Sequence, residues 1–506
     1  MRSVVILSPV VIFFFFIITL MAQDDNLFTL TILHFNDFHA RFEGVDERTA
    51  GACKEEANET CVGGFARLYT LCRKLKLENP NALLLNAGDV FSGSLWYKLF
   101  KWNVTSHFMN KLPVDAMTIG NHEFDSSFAD IINYLNHSKL PALIANIDSS
   151  REPAVTPFIL RSIIVDVNGK KVGIIGYVTT NYRVIASVHK LRFKDEVEAI
   201  NREAKILRSK GVDILIGLSH SGFDVDQQAA KSVDLDIIVG GEQPSTDVPE
   251  GDYPTVVKQE SGRQVLIVQA GAFSKYLGYL NVTFDEKNSI RSWAGNPILL
   301  DNSITEDAAI VAEMEPWKAQ VHEIGERVVG ESEIFLDSTQ WMCRIGECAI
   351  GKLITDAMIY EYTKKRQGDN WTEAGIALIN AGGIRSSINK GNLTYASLLD
   401  VLPFSETYDL IELCGKHILE ALEFSVASTK SEFLQFSGIK ANIDLNKPRH
   451  QRVSDVSVRC SDCPIPQYEP LKPMSLYKVI LTSFVAEGGD GYTMIKKQRK
   501  RHVKGK

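Results

Sequence analysis

Seven short apolar runs in the first half of the chain constrain its fold more than any other feature. Each run is rich in aliphatic residues, is apolar on both faces of an extended backbone and ends abruptly in polar residues. Segments of helical character separate the runs, such as 65–77 and 194–209. This alternation predicts an α/β domain with buried strands. The runs are 28–33, 82–85, 116–119, 142–144, 172–175, 214–218 and 237–239.

A second domain is expected because 506 residues are too many for one compact core. Residues 304–328 are charged and rich in Glu and Ala, which predicts a linker helix and a hinge. The alternation of apolar and polar runs then resumes. We therefore predict a first domain over 23–303, a second α/β domain over 329–495 and a basic tail over 496–506, in which seven of eleven residues are Lys or Arg.

The N-terminus indicates export. Arg2 precedes an apolar stretch over residues 4–21, which ends at Ala22 and is followed by polar residues. This pattern predicts a signal peptide over residues 1–22. An uncleaved signal anchor is the alternative, but Pro9 lies inside the stretch and no second apolar span follows. The C-terminus is basic and lacks the hydrophobic tail of a lipid-anchor signal, so we expect a secreted protein without a membrane anchor.

Cysteines and sequons agree with export. Eight cysteines in an exported chain are expected to pair where they are close, and two are left over as buried free thiols, Cys72 and Cys414. The expected pairs are Cys53 with Cys61, Cys343 with Cys348 and Cys460 with Cys463, and the sequons begin at Asn58, Asn103, Asn136, Asn281, Asn370 and Asn392.

The net charge of the chain, −7, argues against nucleic acid as a partner.

Polar residues that follow four of the apolar runs form a candidate metal site. Ligands of α/β sheets bind at the carboxyl ends of strands, and four such ends here deliver Asp, Asn or His. Oxygen and imidazole donors from several loops suit a pair of divalent ions that share a carboxylate. Two such ions can activate a hydroxide and hold a phosphoryl group, so the set predicts a phosphoesterase. The residues are Asp37, His39, Asp89, Asn121, His122 and His220.

These motifs resemble the metallophosphoesterases of the 5'-nucleotidase type, and among them the secreted salivary apyrases of blood-feeding arthropods. The resemblance runs over nearly the whole chain after the signal peptide. It implies an N-terminal dinuclear metallophosphoesterase domain, a β-sandwich flanked by helices, joined by a linker helix to a C-terminal α/β nucleotide-binding domain. The strings that carry it are Asn36-Asp37-Phe38-His39, Gly120-Asn121-His122-Glu123-Phe124-Asp125, Val268-Gln269-Ala270, Lys275-Tyr276-Leu277-Gly278 and Gly488-Gly489-Asp490-Gly491-Tyr492.

The resemblance also implies roles for individual residues. It implies that Asp37, His39 and Asp89 bind one ion and that Asp89, Asn121 and His220 bind a second. His122 resembles the catalytic histidine, oriented by Asp125, and Arg41 belongs to the outer shell of the same site. In the second domain, six residues match the segments that bind the phosphate, ribose and base of a nucleotide: Arg344, Asn380, Arg385, Phe404, Phe484 and Asp490.

One metal ligand of the family is replaced. Where the family has a histidine after the run 237–239, this chain has Glu242, followed by Gln243 and Pro244. A carboxylate at this position would favour magnesium, manganese or calcium over the zinc of the family. The alternative is that this ion site is weakened and catalysis is slow or lost.

The favoured function is therefore the secreted, metal-dependent hydrolysis of extracellular ATP, ADP and AMP, which would inhibit platelet aggregation. The alternative is a catalytically weak or inactive member that antagonises haemostasis by binding nucleotides or a platelet receptor. Arg366-Gln367-Gly368-Asp369 loosely resembles an integrin-binding tripeptide. The basic tail offers a further partner, a sulfated or acidic surface.

Overall fold

The computed structural model describes residues 27–48, 50–51, 53, 61–180, 190–242, 252–338, 340–366, 368–404, 406–427 and 433–505. The expected signal peptide, the sequon at Asn58 and the residues Gln243, Pro244 and Gln367 lie outside these ranges. Across the described ranges, none of the helices combines the length and the apolar character that a membrane span requires.

The first domain contains the strands expected from all seven apolar runs. In chain order its strands are β1 Phe28–Phe35, β2 Val45–Asp46, β3 Cys61–Val62, β4 Leu83–Asn86, β5 Ala116–Met117, β6 Ala142–Leu143, β7 Ile147–Asp148, β8 Ile159–Leu160, β9 Ser162–Val167, β10 Lys170–Val178, β11 Arg192–Phe193, β12 Ile214–His220, β13 Ile237–Val239, β14 Thr255–Lys258, β15 Gln264–Val268, β16 Tyr276–Phe284, β17 Ile290–Ala294 and β18 Ile298–Leu299. Its helices are α1 Phe65–Glu78, α2 Leu95–Met109, α3 Phe128–His137, α4 Glu196–Ser209 and α5 Phe223–Ser232.

Two mixed sheets form a sandwich in this domain. One has the order β17-β16-β1-β4-β5-β6-β8, with β18 on β16, and the other has the order β14-β15-β13-β12-β10-β9. Strands β1, β4, β5, β6 and β8 are parallel, as are β10, β12, β13 and β15. Ile32 and Leu85 of the first sheet share a buried cluster with Ile216 of the second. Burial of a side chain of this size contributes about 1.5–3 kcal/mol.

Helices cover the outer faces of both sheets. Phe65 and Phe108, from α1 and α2, pack in the cluster beneath the first sheet, and α3 adds Tyr134. Ile200 of α4 and Ala229 of α5 pack against the second sheet. The predicted fold class, a sandwich flanked by helices, is confirmed for this domain, in which central strands such as β4 and β12 are buried on both faces.

The expected linker is helix α6, Ala308–Gly325. The Asp307 carboxylate caps it by accepting hydrogen bonds from Ala309 N and Ile310 N, both at 3.0 Å. The helix packs on the first domain, where Trp317 contacts the ring of Phe100 with centroids 4.8 Å apart. It is therefore a docked helix that leads the chain into the second domain.

The second domain is also α/β. Its strands are β19 Val328–Ser332, β20 Ile376–Asn380, β21 Gly391–Thr394, β22 Tyr408–Cys414, β23 Leu434–Ser437, β24 Ile439–Ile443, β25 Val453–Arg459, β26 Tyr468–Pro470, β27 Leu476–Thr482 and β28 Arg501–Val503. Its helices are α7 Gln340–Cys343, α8 Ala349–Thr363, α9 Tyr395–Val401, α10 Gly415–Ser425, α11 Ser483–Ala486 and α12 Thr493–Gln498. The central sheet has the order β23-β20-β27-β22-β28, with α8 on one face and α10 on the other.

The basic segment 496–506 forms regular structure over much of its length. Its first residues complete α12, and β28 pairs antiparallel with β22 at the edge of the central sheet. His502 forms an ion pair with Asp409, whose carboxylate also accepts a hydrogen bond from Gly505 N at 2.9 Å.

The three expected disulfides, Cys53 to Cys61, Cys343 to Cys348 and Cys460 to Cys463, are confirmed. Cys72 and Cys414 are free, as predicted. Cys72 is buried, whereas Cys414 is only half-buried because it lies at the end of β22, where the sheet meets solvent.

Candidate functional site

The polar residues that follow the strands converge at one end of the sandwich. Asp37 and His39 follow β1, Asp89 follows β4 and Asn121 follows β5, while His220 is the last residue of β12. All five side chains are buried. Buried carboxylates and imidazoles at one place are costly unless they pair or bind a metal, so this convergence marks a functional centre.

His39 lies within ligand distance of both carboxylates proposed to share the first ion with it. His39 Nε2 is 3.6 Å from Asp37 Oδ1 and 3.7 Å from Asp89 Oδ2. Atoms at this spacing can share one cation at about 2.0–2.2 Å from each. Donor atoms that all lie within 4.8 Å of one another belong to His39, Asp89 and His122 in one group and to Asp37, Asp89 and His220 in a second, so these residues fit two implied ions although the grouping differs from the predicted one.

The second proposed set is tighter. His220 Nε2 lies 3.1 Å from both Asp89 Oδ2 and Asn121 Oδ1. Asp89 Oδ2 thus faces both histidines, as a bridging carboxylate must. Burial opposes ionisation of Asp89, but the neighbouring imidazoles, led by His220, hold its pKa below the usual range.

Hydrogen bonds outside each set orient the donors. His220 Nδ1 lies 2.6 Å from Ala87 O, and His39 Nδ1 lies 3.3 Å from Phe91 O. Each ring therefore turns Nε2 towards the site. Asn36 Nδ2 donates to Asp37 Oδ2 at 2.7 Å, which leaves Oδ1 for a metal.

His122 and Asp125 form the expected pair. His122 Nδ1 lies 2.6 Å from Asp125 Oδ2, and Ser92 Oγ donates to the same oxygen at 3.0 Å. His122 Nε2 faces the metal-ligand residues, 4.0 Å from Asp89 Oδ2. Burial opposes its protonation, but the Asp125 and Asp89 carboxylates outweigh burial and raise the pKa of His122 to about 9. Divalent cations would act in the opposite direction.

The second domain contributes two side chains directly to this centre. Arg385 Nη2 lies 3.4 Å from His39 Nε2. The ring of Phe404 stacks on His122, with centroids 5.0 Å apart and planes at 14°, and the Arg385 guanidinium lies 5.5 Å from the Phe404 centroid. A guanidinium and an aromatic ring of the second domain thus meet the proposed metal ligands of the first domain.

Three of the four remaining predicted substrate residues, Arg344, Asn380 and Asp490, lie together around Gly382. Asp490 Oδ2 accepts a hydrogen bond from Asn380 Nδ2 at 2.7 Å, and Arg344 reaches the same glycine. Asn380 Oδ1 is buried and has no hydrogen-bond partner within the described part of the chain. The ring of Phe484 packs against Gly489 and is half-buried. These groups can offer both donors and acceptors to a sugar or a base.

Comparison with known proteins agrees with this geometry. Residues 30–244 match the calcineurin-like phosphoesterase family, and residues 328–497 match the C-terminal domain of 5'-nucleotidases. An apyrase of Tabanus yao is 43% identical over 95% of this chain and 89% of its own length. The chain belongs to the 5'-nucleotidase family.

Two further relatives of this 5'-nucleotidase family member support the assignment. The snake venom 5'-nucleotidase of Crotalus adamanteus is 41% identical over 94% of this chain and 84% of its own. The crystal structure of a 5'-nucleotidase precursor from Thermus thermophilus superposes with a TM-score of 0.84, at 34% identity and 94% coverage of both chains. The predicted family and two-domain architecture are therefore confirmed.

Glu242 is the proposed ligand of this 5'-nucleotidase family member that replaces an expected histidine, and its carboxylate joins neither group of clustered donor atoms among the described residues. Its backbone N–H donates to Asp37 Oδ2 at 3.2 Å, and its carboxylate lies beside Gly222, with Oε2 3.6 Å from the position of a Cβ there. Burial raises the pKa of Glu242 to about 8, with Asp89 and Asp37 adding to the effect and His220 opposing it. Its backbone conformation is left-handed, with φ of 59°. The residue is therefore at the site, next to a proposed ligand of each ion.

Glu123 lies within the motif 120–125 and has a role that the motif alone does not indicate. The side chain is fully buried, and its carboxylate accepts hydrogen bonds from Asp89 N at 3.1 Å, Val90 N at 2.8 Å and Phe91 N at 3.0 Å, and from Gly120 N. It therefore ties the loop that carries Asp89 to the loop that carries Asn121 and His122. The signal that could have found it was a second acidic residue, beside Asp125, inside a loop otherwise explained by metal binding and catalysis.

Close packing of the two loops requires glycine at Gly120. A Cβ added there would collide with Asp89 Oδ1, so any side chain would displace the proposed bridging carboxylate. Asp37, His39 and Asp89 themselves adopt left-handed backbone conformations, with φ between 50° and 56°. Such conformations are costly for residues with side chains and are typical of functional sites.

Proposed function

We propose that this chain is a secreted nucleotide phosphohydrolase that removes terminal phosphates from extracellular ATP and ADP, and also from AMP. One observation carries the proposal. Arg385 and Phe404 of the second domain lie directly against His39 and His122 of the candidate metal centre, so one ligand can span the phosphate-reactive groups and an aromatic surface.

Two divalent ions would be held by Asp37, His39, Asp89, Asn121 and His220, with Glu242 as the additional donor. When bound, they supply an activated water and charge neutralisation for in-line phosphoryl transfer. We propose magnesium, manganese or calcium beside zinc, because Glu242 adds a hard, negative donor.

The protein's own groups account for the rest of the chemistry. His122, held by Asp125, points Nε2 into the centre, where a protonated imidazole stabilises negative charge that develops on phosphate oxygens. Arg385 presents a planar guanidinium that suits phosphate oxygens. Phe404 and Phe484 offer rings for the base, and Asp490 and Asn380 offer polar groups for the ribose.

The site of action is proposed from the N-terminal sequence and from the relatives. A signal peptide over residues 1–22 would export the chain, and removal of extracellular ADP would suppress platelet activation. The apyrase and snake venom 5'-nucleotidase names of the relatives support this role. Arg366, Gly368 and Asp369 are exposed, which leaves a platelet receptor as the partner of the alternative, non-catalytic function.

Phosphate release by the purified protein tests the proposal. We expect release from ATP and ADP that stops when a chelator strips the metals and returns when magnesium, manganese, calcium or zinc is restored one at a time. AMP and 4-nitrophenyl phosphate complete the substrate series. A protein that binds nucleotide but releases no phosphate under any metal would instead support the non-catalytic antagonist.

The proposed base clamp predicts a difference between substrates. Phe404→Ala and Phe484→Ala should raise KM for ADP about 5- to 100-fold, since stacking of a base contributes about 1–3 kcal/mol. Hydrolysis of 4-nitrophenyl phosphate, which has no nucleobase, should change much less. Phe223→Ala, at an exposed phenylalanine of α5, is the matched control. Equal losses on both substrates would show that the two rings are structural.

A further inference from the structure

Arg41 is a buried cation at the domain boundary, and its pairing is incomplete. The residue is 4% exposed, and its Nη1 donates to Asp400 Oδ1 of the second domain at 2.5 Å. Nε and Nη2 are buried and have no hydrogen-bond partner in the described ranges. A buried guanidinium N–H without a partner is costly, so these two atoms indicate a missing acceptor.

The surroundings of Arg41 favour an anionic acceptor. The guanidinium lies 5.2 Å from the centre of the Phe273 ring, and that ring contacts His39 with centroids 5.6 Å apart. Arg41 is also close enough to Arg385 for the two charges to repel each other, which lowers the pKa of Arg385 in addition to the effect of burial. Asp400 holds only Nη1 of Arg41, so Nε and Nη2 of the same guanidinium remain for an incoming anion.

We propose that Arg41 is a phosphate-binding residue of the cleft, with Nε and Nη2 donating to phosphate oxygens of the nucleotide while Nη1 stays on Asp400. Adjacent N–H groups of one guanidinium match two oxygens of a phosphate. This inference rests on the proposed function for the identity of the ligand.

Substitutions at two neighbouring residues, Arg41 and Asp400, distinguish phosphate binding by Arg41 from a role that only holds the two domains together. Arg41→Gln removes the charge at similar size, Arg41→Lys keeps the charge, and Asp400→Asn breaks the ion pair but leaves the guanidinium in place. If Arg41 only latches the domains, Arg41→Gln and Asp400→Asn should have the same effect. If it binds phosphate, only loss of the guanidinium should weaken phosphate binding.

The measurement is the Kd of inorganic phosphate for the metal-loaded full chain by calorimetry, together with KM for ADP and 4-nitrophenyl phosphate. Arg41→Gln should raise the phosphate Kd and both KM values by about 10- to 100-fold, and Arg41→Lys should restore part of the loss. Asp400→Asn should leave the phosphate Kd unchanged or lower it. Thermal unfolding of each variant checks that the fold is retained.

Equal weakening by Arg41→Gln and Asp400→Asn would overturn the proposal, and so would an unchanged phosphate Kd in a folded Arg41→Gln protein. The calorimetric measurement does not depend on turnover. A wild-type protein that binds phosphate through Arg41 but hydrolyses no nucleotide would therefore contradict the proposed function and leave the assignment of Arg41 intact.

Discussion

Asp89→Asn is expected to lower the rate of nucleotide hydrolysis by more than about 100-fold. Mutation of a residue that only hydrogen-bonds to a metal ligand typically costs about 10- to 100-fold in activity, and loss of a proposed ligand shared by both ions should cost more. The reason is geometric, because Asp89 Oδ2 faces both His39 and His220, and among the described residues no other carboxylate takes part in both sets. Metal content by mass spectrometry should fall for both ions, while the amide preserves the shape of the side chain.

Glu242→Gln is the matched comparison for Asp89→Asn. It removes the negative charge that Glu242 would carry when it binds an ion but leaves the proposed bridging position intact, so we expect loss of one donor, retention of at least one ion and a smaller fall in activity. If Asp89→Asn kept both ions and the wild-type rate, the assignment of a bridging carboxylate would be wrong. If Glu242→Gln kept wild-type metal content and activity, Glu242 would not be a ligand.

His122→Ala should lower kcat for ADP by about 10²- to 10⁴-fold, the usual contribution of a group that transfers a proton or stabilises charge in the transition state. The side chain is held by Asp125 and supports no hydrophobic core, so the melting temperature should change little. Steady-state kinetics and thermal unfolding together test this expectation.

An exposed histidine of the second domain, His450, provides the control for His122. His450→Ala should leave kcat unchanged. Asp125→Asn should produce an intermediate loss, because the imidazole remains but loses the carboxylate that orients it. A folded His122→Ala protein with activity within twofold of wild type would remove this residue from the mechanism.

The strand ends could be predicted because a buried strand and a metal ligand each produce a pattern within a short stretch of sequence. An apolar run followed by Asp or His within a few residues identifies a strand and a ligand in one window, as at Asp37 and His220. Glu123 left no such trace, since its partners are backbone N–H groups, which nearly every residue possesses. Its role follows only from the fold, which brings the two loops into contact.

Contacts between the domains were beyond prediction for a different reason. Arg41 and Asp400 are 359 positions apart, and no sequence motif contains both residues or indicates that they are in contact. Their pairing depends on how α9 meets the loop after β1, which is a property of tertiary packing. The stacking of Phe404 on His122 has the same origin, although each residue was identified separately from its own motif.

The C-terminal strand β28 determines how the predicted binding of the basic tail to a sulfated surface should be tested. Deleting residues 496–506 would strip hydrogen bonds from β22 and leave the Asp409 carboxylate without His502 and Gly505. A truncated protein could then lose its retention on a heparin column because it misfolds, whether or not the basic residues bind heparin. Charge-neutral replacements at the exposed Lys497, Lys500 and Lys504 would change the electrostatic attraction while the edge of the sheet stays hydrogen-bonded.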